Sequence, residues 1–149
     1  MEELNFDIVV VGGGPAGSSA AHMAAKNGCT VALIEKEKEI AETVRTSGVT
    51  WISDINEFGI PKECYNPIKK FSFCSPKNYV TITDNVAKAA VLDVRKTYRF
   101  LATRSKSSGS ELFTGTNVSE VLKNSAGKCV GVVAKSQGKL IQFNAKVVI

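Results

Sequence analysis

Residues 7–35 constrain this chain more than any other stretch. Asp7-Ile-Val-Val-Val-Gly12-Gly-Gly14-Pro-Ala-Gly17 runs an apolar segment into a glycine turn, and Glu35 stands at the end of the next apolar segment. Phe6 to Val11 is β-branched and continuously apolar, the pattern of a parallel strand buried on both faces. Gly12 lets the chain turn sharply off that strand. Gly14, lacking a Cβ, lets a pyrophosphate approach the backbone, and Gly17 lets a helix pack close to the strand. Pro15 suits a first helical turn, where its missing N–H is no loss. The helix is expected to run through Ala16, Ala20, Ala21, Ala24 and Ala25 and to stop at Asn27-Gly28. Its free N–H groups and its positive dipole end then face the phosphates. Thr30 to Ile34 reads as the second strand. Glu35 follows Gly17 by 18 residues, close to the spacing of about 20 at which an acid meets a ribose. Its carboxylate can accept both ribose hydroxyls and disfavours a 2′-phosphate, so FAD or NAD fits better than NADP. A glycine turn alone is weak evidence. Here strand, Ala-rich helix, second strand and terminal acid agree.

The 149 residues are enough for one compact domain. Hydrophobic residues make up 44% and charged residues 22%, ordinary for a globular chain. No apolar stretch reaches the roughly 18–20 residues that span a bilayer. Glu2 and Glu3 lead directly into a strand, unlike a signal or transit peptide. The net charge is +5, carried by scattered lysines with short clusters at Lys36/Lys38 and Lys69/Lys70. No arginine-rich stripe interleaves with aromatics, so nucleic acid is not an expected partner. Solvated surface charge is the plain reading, and an anionic membrane surface or a phosphate-bearing substrate is the alternative. Cys29, Cys64, Cys74 and Cys129 form no C-x-x-C, and His22, inside the first helix, is the only histidine. No metal site is expected. Free thiols point to a cytoplasmic protein, with peripheral membrane association as an extension of the charge argument.

Ser47 to Phe58 spaces Val49, Ile52, Ile55 and Phe58 by threes, a helical face with Gly59 and Pro61 as its stop; Trp51 reads as packing on that helix, with stacking on a substrate as the alternative. Lys70–Cys74 and Tyr79–Thr83 read as two strands joined by a hairpin loop, Ser75-Pro-Lys-Asn78. Asp93 can cap a helix bearing Val94, Tyr98 and Leu101 on one face. Ser105–Ser110 reads as a Ser/Gly connector, and Glu111–Gly115 as another parallel strand. Val118–Leu122, Lys128–Ala134 and Leu140–Phe143 then read as an antiparallel meander, followed by a separate apolar strand, Lys146–Ile149. That last segment ends without a cap, so the chain is expected to be the N-terminal piece of a longer protein.

A meander before the last strand of a dinucleotide sheet fits an NAD-linked dehydrogenase poorly and large FAD-binding folds well. The combination resembles the glutathione-reductase-type FAD oxidoreductases. It is most similar to the geranylgeranyl reductase family, which includes archaeal digeranylgeranylglycerophospholipid reductases. The resembling residues are Asp7–Ala21 with the strand closing on Glu35-Lys36, then Val44-Arg45-Thr46-Ser47-Gly48, then Val91-Leu92-Asp93-Val94-Arg95. Thr46 stands where many relatives carry a cysteine, and Arg99 where they often keep an acid. The family's Gly-x-Asp-Gly flavin segment would follow Ile149.

The resemblance implies an α/β fold: a Rossmann-like FAD-binding fold of the glutathione-reductase type with a three-stranded antiparallel β-meander, truncated before the end of the domain. Residues 1–46 and 91–149 would be two segments of the FAD-binding domain. Residues 47–90 would contribute a helix and hairpin to a substrate-binding part. It implies that Gly12, Gly14, Pro15, Ala16 and Gly17 cradle the FAD pyrophosphate and that Glu35 and Lys36 meet the adenosine. Val118 would offer backbone groups to the adenine, Arg45 would pair with a phosphate or bracket the flavin side, Arg95 would contact the flavin, and Thr46 to Gly48 would lie beside its ring. The implied reaction is saturation of isoprenoid double bonds by hydride from reduced flavin, in a dry channel that the Phe71/Phe73 hairpin helps to wall. The electron donor, a reduced nicotinamide or ferredoxin, is not specified, and no catalytic residue is identified. An FAD monooxygenase or halogenase of the same fold, or a truncated non-catalytic FAD-binding fragment, are the competing readings.

Overall fold

The structure is a computed structural model that describes residues 2–149. Its elements in chain order begin β1 (Glu2–Val11), α1 (Pro15–Lys26), β2 (Val31–Ile34), β3 (Val49–Trp51) and α2 (Ile52–Glu57). A 3-10 turn (Lys62–Cys64), β4 (Tyr65–Ile68), β5 (Lys70–Cys74), β6 (Tyr79–Thr83) and β7 (Ala89–Leu92) follow. The chain closes with α3 (Val94–Ser107), β8 (Glu111–Phe113), β9 (Thr116–Lys123), β10 (Cys129–Ser136) and β11 (Lys139–Val148). These elements fall into two compact units: Met1–Thr43 with Tyr98–Ile149, and Val44–Thr97. The boundary on the C-terminal side lies within α3.

The first unit is a six-stranded sheet in the order β8-β2-β1-β11-β10-β9. β1 pairs in parallel with β2 (Val9 opposite Ala32) and with β11 (Val9 opposite Val148). The alternation of side chains along β1 and β2 explains their unbroken apolar sequences, because both faces are covered. Val10, Val31 and Leu33 pack under α1 against Ala21 and Ala25. Val9, Ala32 and Ile34 meet Val132, Ala134 and Phe143 on the opposite face. Phe113 meets Phe143 edge-on with centroids 5.0 Å apart. A Cβ on Gly131 would overlap the carbonyl oxygen of Phe143, so glycine at the β10 bulge is what lets β10 and β11 close up.

The meander is present as β9, β10 and β11, each antiparallel to the next. One expectation fails: Leu140–Phe143 and Lys146–Ile149 are not two strands. β11 runs unbroken through Asn144 and Ala145, antiparallel to β10 on one side and parallel to β1 on the other. Asn144 suits a strand interior because its amide donates to Asn5 Oδ1 and accepts from Gln142. The Ser/Gly connector is also shorter than expected. Ser105–Ser107 completes the last turn of α3, where buried Ser105 hydrogen-bonds Ser110.

The second unit contains a three-stranded antiparallel sheet, β3-β7-β4, and the β5–β6 hairpin. Its hairpin matches the expected strands, with Phe71 opposite Ile82 and Phe73 opposite Val80. The helix expected from Ser47 does not form there. Val49–Trp51 is a strand paired with Ala89–Val91, and α2 begins only at Ile52. Ile55 alone of that helical face is fully buried, whereas Val49 is 60% and Trp51 59% exposed. Trp51 therefore does not pack on a helix. Asp93 caps α3 as expected, its Oδ1 accepting the Lys96 N–H at 3.0 Å. Among the described residues no helix is long and apolar enough to cross a membrane.

Candidate functional site

The glycine turn lies at the end of β1 and opens onto α1. Gly12 has φ +112°, a conformation that side-chain-bearing residues rarely adopt. A Cβ on Gly17 would overlap the Gly12 carbonyl oxygen, which explains why the first turn of α1 needs glycine there. Open space surrounds the positions where Cβ atoms of Gly12 and Gly14 would stand. Gly14 is the N-cap of α1 and no side chain caps it. The first intrahelical bond runs from the Ser18 N–H to the Gly14 carbonyl. The N–H groups of Ala16 and Gly17 precede that bond, at the positive end of the helix dipole.

Glu35 is held on both its main chain and its side chain. Its N–H donates to Phe113 at 2.8 Å, and its carbonyl accepts from Thr116 at 2.9 Å, pinning it between β8 and β9. Its Oε2 accepts the Gly13 N–H at 2.7 Å and its Oε1 the Glu37 N–H at 2.9 Å. The carboxylate thus faces the glycine turn, and each oxygen keeps acceptor capacity for a hydroxyl. Gly13 was not anticipated as a site residue. A side chain there would collide with Ile40 and crowd Glu35. Ile40 is buried with Ala41 against Ala102 of α3. Arg99 fastens that loop, pairing with Glu39 and donating to the Ile40 carbonyl at 3.3 Å. An arginine in place of the acid thus has a packing role.

A cleft of about 130 Å³ is lined by Gly12, Glu35, Lys36 and Val118, together with Val11, Ile34, Thr116 and Asn117. Val118 and Glu35, 83 positions apart in the sequence, reach it because β9 and the end of β2 meet through the Thr116–Glu35 bond. Thr116 and Asn117 were not anticipated; their only sequence signal is adjacency to Val118. Pro15, Ala16 and Gly17 occupy the first turn of α1 beside this cleft's glycine wall. Arg45 and Thr46 lie in the exposed segment before β3, where Thr46 Oγ1 accepts the Gly48 N–H at 3.3 Å. Arg95 is exposed on the first turn of α3. All three belong to the second unit.

Elsewhere in the first unit, Asp7 and His22 are shifted from their ordinary values by their structural neighbours. The Lys146 ammonium, then the Thr30 backbone N–H and hydroxyl, hold the Asp7 carboxyl down to about 2. Desolvation, then the positive charges of Arg104 and Lys26, push the His22 imidazole below its ordinary value. His22 Nδ1 lies 2.8 Å from Ser108 Oγ, a packing contact between α1 and the end of α3. The cysteines are free, and no group of His, Cys, Asp and Glu among the described residues could hold a metal ion.

The open glycine turn, the uncapped helix and the carboxylate facing both fit an adenine dinucleotide. The sequence profile of FAD dependent oxidoreductases matches residues 7–149. Digeranylgeranylglycerophospholipid reductase of Methanocaldococcus jannaschii is 36% identical over 155 residues, covering 100% of this chain and 39% of that protein. A geranylgeranyl bacteriochlorophyll reductase-like protein of Thermoplasma acidophilum superposes with a TM-score of 0.90 at 27% identity, covering 98% of this chain and 38% of that one. The myxobacterial chondrochloren halogenase CndH superposes at 0.78 with 20% identity over 97% of this chain and 36% of its own, a likeness of fold alone. The chain spans about two-fifths of the length of these proteins. It belongs to the FAD dependent oxidoreductase family, has the family's Rossmann-like fold with FAD as its cofactor, and corresponds to the N-terminal part of the geranylgeranyl reductases.

Proposed function

We propose that this chain is the nucleotide-holding part of an FAD-dependent reductase that saturates geranylgeranyl double bonds of archaeal-type membrane lipids. Similarity to a digeranylgeranylglycerophospholipid reductase along the whole chain is the observation that carries the reading. In this reading the backbone of Gly12, Gly14, Ala16 and Gly17 receives the pyrophosphate, with Pro15 fixing the first turn. Glu35 accepts the ribose hydroxyls from a carboxylate already oriented by Gly13 and Glu37. Lys36 and the Val118 backbone border the adenine. Arg45, Thr46 and Arg95 act toward the flavin end, where a guanidinium matches phosphate oxygens. Bound FAD would supply two-electron redox chemistry, and saturation of an isolated carbon–carbon double bond would take a hydride from the reduced flavin and a proton to the neighbouring carbon. An unactivated alkene offers no carbonyl to polarise, so the protein's task is to orient it and exclude water. The domain assignment is 1–46 with 91–149 for the cofactor and 47–90 for the substrate. A cytoplasmic enzyme lying against the membrane suits such a lipid.

The test joins this chain at Ile149 to the remaining part of the M. jannaschii reductase and supplies dithionite and a digeranylgeranyl phospholipid. Mass spectrometry should show stepwise gain of hydrogen pairs in the lipid chains. A flavin-loaded chimera that leaves the lipid untouched but inserts oxygen or halogen into an aromatic would overturn the reading.

A further inference from the structure

The loop after Glu35, residues 36–43, contains no helix or strand, and Lys36, Lys38, Glu39 and Glu42 in it are exposed. It is nevertheless tied at several points. The Glu37 carbonyl accepts the Gly115 N–H at 2.7 Å, and the Glu37 N–H donates to Glu35 Oε1. Within the loop, the Lys38 N–H donates to Glu42 Oε2 at 3.1 Å and the Thr43 N–H to Glu37 Oε2 at 3.0 Å. Its middle lies over the glycine turn, where Ile40 Cδ1 occupies the space that a Cβ on Gly13 would need. The next residue, Ala41, has φ +57°. A residue with a side chain keeps that left-handed conformation only where its surroundings fix it. The Ile40 carbonyl belongs to the peptide unit that leads into Ala41, and Arg99 Nε donates to it at 3.3 Å while the same guanidinium pairs with Glu39. A rigid fork from α3 thus grips the loop at its bend. Glu35, Ile40 and Arg99 all belong to the first unit.

We propose that Arg99 is a positioning residue for nucleotide recognition and acts through Glu35. By holding Glu39 and the Ile40 peptide, it keeps Ile40 seated over Gly13 and Glu37 beside Glu35. The two N–H groups that aim the carboxylate, those of Gly13 and Glu37, then stay in place. This rests on the reading of Glu35 as the acceptor of the ribose hydroxyls. A carboxylate with both oxygens already oriented meets two neighbouring hydroxyls without first being ordered, and that saving appears as affinity. Arg99 is not among the residues that line the cleft, so its influence reaches the ligand through the loop. An exposed ion pair adds little to global stability. The contribution of Arg99 therefore lies in the aim of Glu35 more than in folding.

The experiment is a double-mutant cycle on the purified chain, read by FAD titration. Arg99→Met keeps the length of the side chain and loses the fork, and it should weaken FAD at least about threefold. In a Glu35→Gln background the same change should cost less than about 1.5-fold, because the carboxylate it aims is gone. Arg99→Lys, which keeps the charge without the fork, should fall between Arg99→Met and the parent. Glu39→Gln loosens the loop from its own side and should give a smaller loss with the same dependence on Glu35. Thr103→Ala, exposed further along α3, should leave affinity unchanged. Competition against FAD by ADP and by 2′,3′-dideoxy-ADP gives a second readout that a merely structural role would not move. The parent should prefer ADP, and Arg99→Met should lose most of that preference while binding the dideoxy nucleotide as before. Urea midpoints establish that each variant is folded, and if Arg99→Met is not, Glu39→Gln decides by the same criteria. Equal losses in both backgrounds, an unchanged FAD affinity in the folded variant, or an unchanged preference for ADP overturns the inference. Any of these with FAD bound by the parent leaves the cofactor reading standing, whereas no FAD uptake by the parent removes both.

Discussion

At the scale of single residues, the glycines of the turn do different jobs, and substitution separates them. Gly14 borders open space and has an ordinary backbone conformation, so a side chain there is tolerated by the fold and intrudes on the ligand. Gly17 faces the Gly12 carbonyl, so a methyl group there is a problem for the fold itself. Gly17→Ala is expected to destabilise the chain by about 1–3 kcal/mol, as overpacking against backbone does, and to show it as a lower midpoint in urea. Glu35→Gln replaces an acceptor-only group with one whose amide nitrogen must face an N–H donor, Gly13 or Glu37. The proposed bond from a ribose hydroxyl to this carboxylate also loses its charge assistance, and a hydrogen bond to a charged group is worth about 1.5–3 kcal/mol. FAD titration of that variant should therefore show an affinity at least about tenfold weaker. The geometry at Gly12, Gly14, Gly17 and Glu35 was legible because each answers a local constraint within one βαβ unit. Gly13 was not, since its constraint is Ile40, brought over it by a loop that Arg99 of α3 fastens.

At the scale of elements, Asp7 joins three strands that start far apart in the sequence. Its carboxylate accepts the Thr30 N–H and hydroxyl at the entrance to β2 and pairs with Lys146 of β11 at 2.7 Å. The folded chain holds this carboxyl near 2 against an ordinary 3.8, so it binds its proton less readily than the unfolded chain does. The resulting stabilisation is present above about pH 4 and is lost as pH falls toward 2. Melting temperature measured across that window should fall less steeply for Asp7→Asn than for the parent chain. A parallel slope in the two proteins would contradict the assignment. Elements defined by local pattern, such as α1, β2, the hairpin and α3, were readable from sequence. Those defined by distant pairing were misread. Val49–Trp51 became a strand because β7, about forty residues on, supplies its partner. Asn144 looked like an interruption and is a strand interior because Asn5 and Gln142 meet its amide.

At the scale of the whole molecule, the first unit has a closed core on both faces of its sheet, and the second leaves much of its apolar surface bare. The contrast fits the proposed reading in which the first unit's cleft receives the nucleotide end of the cofactor, while the flavin end and the substrate also involve the second unit. The fold class was legible because the glycine turn and the meander are both local patterns that few folds combine. The flavin-side roles of Arg45, Thr46 and Arg95 were reached only through resemblance, because no short-range pattern fixes what an exposed guanidinium meets. The central claim is that the glycine turn and Glu35 hold an adenine dinucleotide, and an FAD titration of the purified chain, followed by flavin fluorescence and absorbance, tests it most directly. Saturable uptake at one FAD per chain, lost in a Gly14→Val variant that still melts like the parent, is the predicted result. No uptake by the parent chain, or equal uptake by folded Gly14→Val, would contradict it.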